Sequence, residues 1–221
     1  MKEYHKIETL FKFNQLTKRW TNDFYNNNVA LLKNIMWTFT EKIDGTNFRI
    51  YWNGHKLSYA GRTDNSQFNK EQIDFIDKYL VNEVQETVFE QHFQDKVVTV
   101  YGELYGNNIQ KGGGLYTRGQ GLNFRVFDIE INDVFLEFYD ALNLAKSLGY
   151  GFVPFAFMGT IKEGINYVMQ HYQSKIGEAK LEGIVGKPVG DFRDRFGKRI
   201  VVKIKRRDLE KTDGLEVYLN E

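Results

Sequence analysis

Five runs in this 221-residue sequence carry side chains able to do chemistry. The first is Lys42-Ile43-Asp44-Gly45. A lysine at a strand end, followed by a tight turn, is held in a fixed direction. Its amine becomes a nucleophile where burial or neighbouring cations lower its pKa. Composition alone gives a K-x-D-G in roughly one chain of this length in twenty, and a second copy is present, Lys211-Thr212-Asp213-Gly214. Taken singly, such a copy is more often a hairpin turn beside a surface lysine. The second run is Ile200 to Lys205. Strand alternation puts Ile200, Val202 and Ile204 on one face and Val201, Lys203 and Lys205 on the other. Two lysines there suit phosphates as point charges and would depress the pKa of a lysine beside them. An edge strand guarded by lysines against aggregation is the plain alternative. The third pair is Glu103 in Tyr101-Gly102-Glu103-Leu104 and Glu182 in Glu182-Gly183-Ile184-Val185. Glycine beside an acid in a strand marks close approach of a ligand or of another backbone. Such a carboxylate holds a hydroxyl or a magnesium ion, or else is a strand-end acid in solvent. Last, Phe127 stands before Asp128 in an apolar run. Its ring could stack on a base, although phenylalanine in a strand is far more often core.

The elements that must position these residues follow from pattern. Residues 37–42 predict a strand, Asp44-Gly45 a turn and residues 47–52 the return strand. Asn53-Gly54 predicts a further hairpin turn into residues 56–62. Ile73, Ile76, Leu80, Val84 and Val88 recur at three- and four-residue spacing and predict one helix over 69–93. Strands are expected at 97–104, 124–131, 182–187 and 199–205, and helices at 139–148, stopped by Gly149, and at 162–174. The glycine-rich stretch 106–121 is expected to be a mobile loop. The sum is an α+β domain of antiparallel sheets flanked by helices, with a cleft between two sheets as the natural ligand site.

Bulk properties exclude several classes. There is no cysteine, so thiolate nucleophiles, disulfides and cysteine-ligated zinc are out, and the four histidines have no metal-ligand spacing. No apolar run at the N-terminus or elsewhere reads as a signal or a membrane span, so a soluble protein of a reducing compartment is expected. Thirty Lys and Arg nearly cancel 29 Asp and Glu. The distribution is less even. Residues 192–207 hold eight cations, Arg193, Arg195, Lys198, Arg199, Lys203, Lys205, Arg206 and Arg207, against Asp194 alone. Such a run is usually a solvated face, but this one is threaded through an apolar strand.

Order ties the runs together. Glu-Lys-Ile-Asp-Gly-Thr-Asn-Phe, Gly-Arg-Thr, Tyr-Gly-Glu-Leu-Tyr-Gly, Phe-Arg-Val-Phe-Asp-Ile, Glu-Gly-Ile-Val-Gly-Lys and Val-Lys-Ile-Lys follow one another over residues 41–205. The series resembles motifs I, Ia, III, IIIa, IV and V of the covalent nucleotidyltransferases, which comprise ATP-dependent DNA ligases, RNA ligases and capping guanylyltransferases. Thr46-Asn47-Phe48 and Arg62 resemble the RNA ligase 2 group most. Lys42 has the remaining motifs downstream and Lys211 has none, which decides between the two copies.

The resemblance implies an ATP-dependent RNA ligase with ATP and Mg2+ (or Mn2+) and the adenylation fold. Lys42 would attack the α-phosphate and carry AMP, with Ile43 beside the nucleotide. Glu41 would read the adenine edge, Phe127 would stack on it and Glu103 would hold the ribose. Asn47 and Arg62 would lie near the nucleotide and the reacting 5′-phosphate. Glu182, with Glu103, would place the metal, and Lys203 and Lys205 would hold phosphates and activate Lys42. The implied partners are 5′-phosphate and 3′-hydroxyl ends of RNA, or of DNA, with no membrane. The implied setting is the cytoplasm of a bacterial cell or phage-infected host. Asp44 stands where the best-known RNA ligase 2 enzymes have histidine. Sixteen residues follow Lys205, so a single domain over 1–221 is expected, without an OB-fold or C-terminal helical domain. A minimal DNA ligase and a catalytically idle nucleic-acid-binding module are the rival readings.

Overall fold

The computed structural model describes residues 1–219. In chain order the first strands are β1 (Glu8–Thr9), β2 (Phe11–Asn14), β3 (Arg19–Phe24), β4 (Trp37–Glu41), β5 (Thr46–Trp52) and β6 (Leu57–Ala60). They are followed by β7 (Val98–Gly106), β8 (Leu122–Ile131), β9 (Val134–Phe135), β10 (Gly151–Phe152), β11 (Phe155–Gly159), β12 (Gly183–Pro188) and β13 (Val202–Lys205). The helices are α1 (Asn27–Leu31), α2 (Lys70–Tyr79), α3 (Glu83–Phe93), α4 (Gly113–Thr117), α5 (Phe138–Ser147), α6 (Ile161–Gln170), α7 (Arg206–Leu209) and α8 (Glu216–Leu219). Among the described residues no helix is long and apolar enough to cross a membrane. Contacts divide the chain into two compact units. One holds Met1–Tyr4 and Asp44–Val153; the other holds His5–Ile43 and the chain from Pro154 onward.

The first unit is built on a sheet of order β10-β8-β7-β5-β6, with β9 also on β8. All its pairs are antiparallel except β10 with β8. Strand alternation sorts its two faces. Phe48, Ile50, Trp52, Val98, Val100, Leu104, Phe124 and Val126 are all buried on one. Asn47, Arg49, Tyr101, Glu103 and Arg125 occupy the other. The β5–β6 hairpin turns as expected at Asn53-Gly54. The Asn53 side chain accepts from the His55 and Lys56 N–H groups, and Gly54 has φ +93°.

The stripe over 69–93 is two helices, not one. α2 closes with the Leu80 N–H on Ile76 O, and Asn82 then caps α3 by accepting from Gln85 N–H at 3.0 Å. An asparagine cap three residues ahead of a glutamine is a start signal inside the apolar periodicity. The break also rotates the buried face: Ile73 and Val84 are exposed, whereas Phe89 and Phe93 are buried. The stretch 106–121 is likewise not all loop, since α4 lies within it. Gly149 ends α5 as expected, at φ +80°.

The second unit carries a sheet of order β1-β13-β12-β4-β11 and the small β2–β3 ribbon. The apolar side of α6, Ile161, Ile165 and Val168, joins Phe39, Ile184, Val202, Ile204 and Leu209 in one core. Gly164 lets the helix sit close: a Cβ there would meet Phe39 at 2.9 Å and Ile204 at 3.0 Å. α6 stops at Gln170, short of the expected 174. β13 starts at Val202 and is interior, paired with β1 and β12, so the guarded-edge reading of Lys203 and Lys205 fails.

The first expected hairpin does not form. β4 pairs with β11 and β12 in the second unit, whereas β5 pairs with β6 and β7 in the first. Residues 42–45 pass between units instead of turning back. Gly45 is required by crowding against β7, where a Cβ would lie 2.4 Å from Leu104 O.

Candidate active site

In the second unit, three neighbouring strands end together. Register sets Ile184 of β12 opposite Glu41 of β4 and Gly183 opposite Lys205 of β13. The residues just beyond or at these ends, Lys42, Glu182 and Lys205, therefore converge. The Lys42 N–H donates to Gly183 O at 2.9 Å, which fixes where its side chain starts. Its Nζ donates to Glu182 Oε2 at 2.8 Å and to Ile43 O at 3.3 Å. Lys205 Nζ holds the other Glu182 oxygen, Oε1, at 2.7 Å. One carboxylate thus bridges two lysines. Gly183 is needed for packing: a Cβ would sit 2.1 Å from Ile204 O.

The electrostatics follow. Burial pushes the Glu182 carboxyl up, but the Lys42 charge and hydrogen bonds from Lys205 and Lys42 outweigh it and hold the group below the usual range. Lys203, on the same strand face as Lys205, is held below the usual lysine range, first by burial and then by the charges of Lys205 and Lys42. Asp208 is buried, and that burial pushes its carboxyl up against the pull of Lys205, Arg207 and Lys203. Nothing in the spacing had marked it. Glu41 is also buried; Ser174 Oγ donates to Oε2 at 2.6 Å and Lys175 N–H to Oε1 at 2.9 Å and Oε2 at 3.1 Å. Ile43 is buried as well.

In the first unit, register lines Asn47, Glu103 and Arg125 across β5, β7 and β8. Asn47 Oδ1 is buried without a hydrogen-bond partner. Arg125 is anchored by Tyr105 Oη at 3.1 Å and Phe152 O at 2.8 Å. Phe127 is the extra residue of a β-bulge, because Tyr101 faces Asp128 while Gly102 faces Val126. The edge of Tyr4 meets its ring at 5.0 Å, and Tyr4 Oη donates to Asp128 Oδ2 at 2.8 Å. Gly102 again answers to packing, since a Cβ would strike the Phe124 ring at 2.3 Å.

Arg62 is exposed in the bend after β6, and among the described residues no hydrogen bond or ion pair holds it. The wholly buried arginine is Arg49. It donates to Gly61 O at 2.8 Å, Asp64 Oδ1 at 2.9 Å and Met1 O at 3.0 Å. No sequence signal separated it from a surface arginine. The second K-x-D-G copy is structural: the Lys211 carbonyl accepts from Trp20 N–H, and Asp213 pairs with Arg19. Among the described residues, no three His, Asp or Glu side chains gather as a metal cage.

The sequence model of the RNA ligase family matches residues 35–205. No curated protein matches the chain. Among solved structures, a mutant of Naegleria gruberi RNA ligase with ATP and Mn aligns at TM-score 0.61 and 18% identity, over 98% of this chain and 62% of that one. A second mutant, with AMP and Mn, aligns with the same TM-score, identity and coverage. The same ligase with pyrophosphate aligns at TM-score 0.61 and 21% identity, over 93% of this chain and 61% of that one. At these identities the likeness is one of fold, and this chain spans about 62% of the length of the structures it matches. The family match takes in every motif from Glu41 to Lys205, and the chain belongs to the RNA ligase family.

Proposed function

We propose that this chain is an ATP-dependent RNA ligase that works through a lysyl-AMP at Lys42. The observation that carries the reading is the strand-end cluster: Lys42 and Lys205 on one carboxylate, Glu182, with Lys203 feeling the charges of both lysines. Even with Asp208 beside Glu182, three lysines against two carboxylates leave positive charge to receive phosphates. The fold relatives with ATP, AMP and pyrophosphate support the same reading.

Lys42 Nζ attacks the α-phosphorus of ATP. An N–P bond forms, the bond to the pyrophosphate oxygen breaks, and the amine gives up a proton. A 5′-phosphate oxygen of RNA then attacks the same phosphorus and Lys42 leaves, regaining a proton. Finally a 3′-hydroxyl oxygen attacks the 5′-phosphorus, the strand closes and AMP departs. The Lys42 Nζ–Glu182 contact must open and Nζ must reach its neutral form, any extra proton passing to solvent, before the amine can attack. Phosphates drawing Lys203 and Lys205 toward themselves would free Glu182 to rearrange.

The residues fit the nucleotide. Asn47 Oδ1 offers a buried acceptor with no donor. Glu41 Oε1 takes one hydrogen bond and keeps acceptor capacity for an exocyclic amine. Glu103 and Phe127 share the Asn47 unit and are assigned the ribose and the base face, while Arg62 is assigned the 5′-phosphate end. For Mg2+ or Mn2+ the fit is to an ion carried mainly by substrate phosphates, with Glu182 and Glu103 as the candidate protein carboxylates. Such an ion would neutralise charge on the leaving pyrophosphate.

The test is a chase. Protein labelled with α-labelled ATP should pass AMP to 5′-phosphorylated RNA and then release it as the strands join. Label that forms but never moves to RNA, or moves only to a matched DNA strand, would overturn the RNA assignment.

A further inference from the structure

We infer that the turn between β12 and β13 is a built RNA contact, in which Phe196 stacks on a base and Arg195 meets the adjoining phosphate. This rests on the ligase reading above and adds a second point of grip away from Lys42. Residues 190–200 are not a loose loop. Asp194 N–H donates to Lys198 O at 2.8 Å, Gly197 N–H to Asp194 O at 3.0 Å and Ile200 N–H to Phe192 O at 3.0 Å. The Asp194 carboxylate closes the turn by accepting from the N–H groups of Phe196 and Lys198. Arg193 and Arg199 face each other as a β-bridge.

The tip presents a flat apolar surface. Phe196 is 77% exposed, with Phe192 at 40% farther down the same turn. The Arg195 guanidinium lies over the Phe196 ring at 4.6 Å. A single exposed phenylalanine needs no explanation; one fixed on a hydrogen-bonded turn under a guanidinium plane is different. The charges narrow the occupant. Asp191 takes Arg193, Glu8 takes Lys198 and Asp194 is consumed by the turn. Arg195 is left with no carboxylate partner among the described residues. A ring beside a free planar cation suits the alternating bases and phosphates of a single strand, since any base has a π-face and guanidinium binds phosphate.

Position adds a length rule. Glu182 stands at the start of β12 and the turn leaves its far end, so six residues of strand separate them, about 20 Å. At about 3.4 Å per stacked base that is about six nucleotides, and Phe196 lies beyond Pro188, so only a strand reaching at least that far from the reacting phosphate could touch the tip.

The experiment measures binding of 5′-phosphorylated single-stranded RNA, 4 or about 20 nucleotides long, by fluorescence anisotropy over a salt series. Phe196→Ala should weaken the long RNA about tenfold. Arg195→Gln should weaken it less and lower the slope against log salt by about 0.7. Neither should change the short RNA or the labelling of Lys42 by ATP. Unchanged long-RNA affinity in both variants, or equal loss on the short RNA, overturns the proposal. So does a Phe196→Ala effect confined to self-association or to anionic vesicles. Wild-type protein that takes no AMP would sink the ligase reading, while a length-dependent RNA loss would still support the turn as an RNA contact.

Discussion

Glu182 in the second unit already has a lysine on each oxygen, Lys42 and Lys205, and Glu41 is engaged by Ser174 and Lys175. On the polar face of the first unit, Asn47 keeps a buried oxygen with no donor at all. The paired cluster stabilises the fold as it stands and must be broken for chemistry. The unpaired oxygen costs folding free energy as it stands, about 1–3 kcal/mol by the usual desolvation penalty, and is ready for a ligand. Mutation of Glu182 should therefore move stability and activity together, and mutation of Asn47 should move them apart.

The largest effect concerns the nucleophile. Lys42→Ala should abolish labelling by α-labelled ATP, whereas Lys211→Ala should label like the wild type. Lys211 lies in the copy of the motif that braces β3. Label on Lys42→Ala would break the assignment of the whole cluster.

Next is Glu182→Gln, which strands two partly buried ammonium groups. It should cost about 2 kcal/mol in urea unfolding at pH 7 and slow adenylation. The pH dependence follows from the depressed carboxyl. Its folded pKa lies below the ordinary 4.5 of a glutamate, so its contribution is full above that value and is lost as pH falls through the folded pKa. The gap between wild type and Glu182→Gln should close on acidification. A gap that stays constant from pH 7 to pH 3 would show that Glu182 stabilises by shape, not charge.

The Asn47 side sharpens the contrast. Asn47→Ala removes an unsatisfied buried oxygen, so stability should hold or rise, by up to about 1–3 kcal/mol. Half-saturating ATP should rise about tenfold, the worth of one hydrogen bond to the nucleotide. Titration of adenylation rate against ATP, beside a urea curve, separates the two. Equal loss in both would mean that Asn47 is structural.

What the sequence made legible was local or ordered. Asn53-Gly54 announced its hairpin and Gly149 its helix end, because turn chemistry needs only neighbours. The motif order chose Lys42 over Lys211. Partner choice between strands was not legible: residues 37–41 and 46–52 both read as apolar strands joined by Asp-Gly, yet they enter different sheets. The clamp of Ser174 on Glu41 spans 133 positions, beyond any periodicity. The bulge that sets Phe127 apart exists only in the register of β8 against β7. Arg49 was hidden for a related reason. Its three acceptors, Gly61 O, Asp64 and Met1 O, are brought in by the fold.

The smallest effect lies at Lys203, where the paired cluster carries a charge it does not need for folding. Burial and the charges of Lys205 and Lys42 hold its pKa below 10.5. A base with a lowered folded pKa binds fewer protons folded than unfolded between that value and 10.5, so wild-type stability should rise with pH across this window. Below the window the charged ammonium is a net cost. Lys203→Met keeps the stem and removes the charge, so it should raise Tm by about 2 °C at pH 7 while adenylation falls. The pH-dependent rise should vanish in the variant. Melting curves at pH 7 to 10, beside labelling rates, supply both readouts. A lowered Tm with labelling intact would place Lys203 among the structural contacts and leave phosphate binding to Lys205.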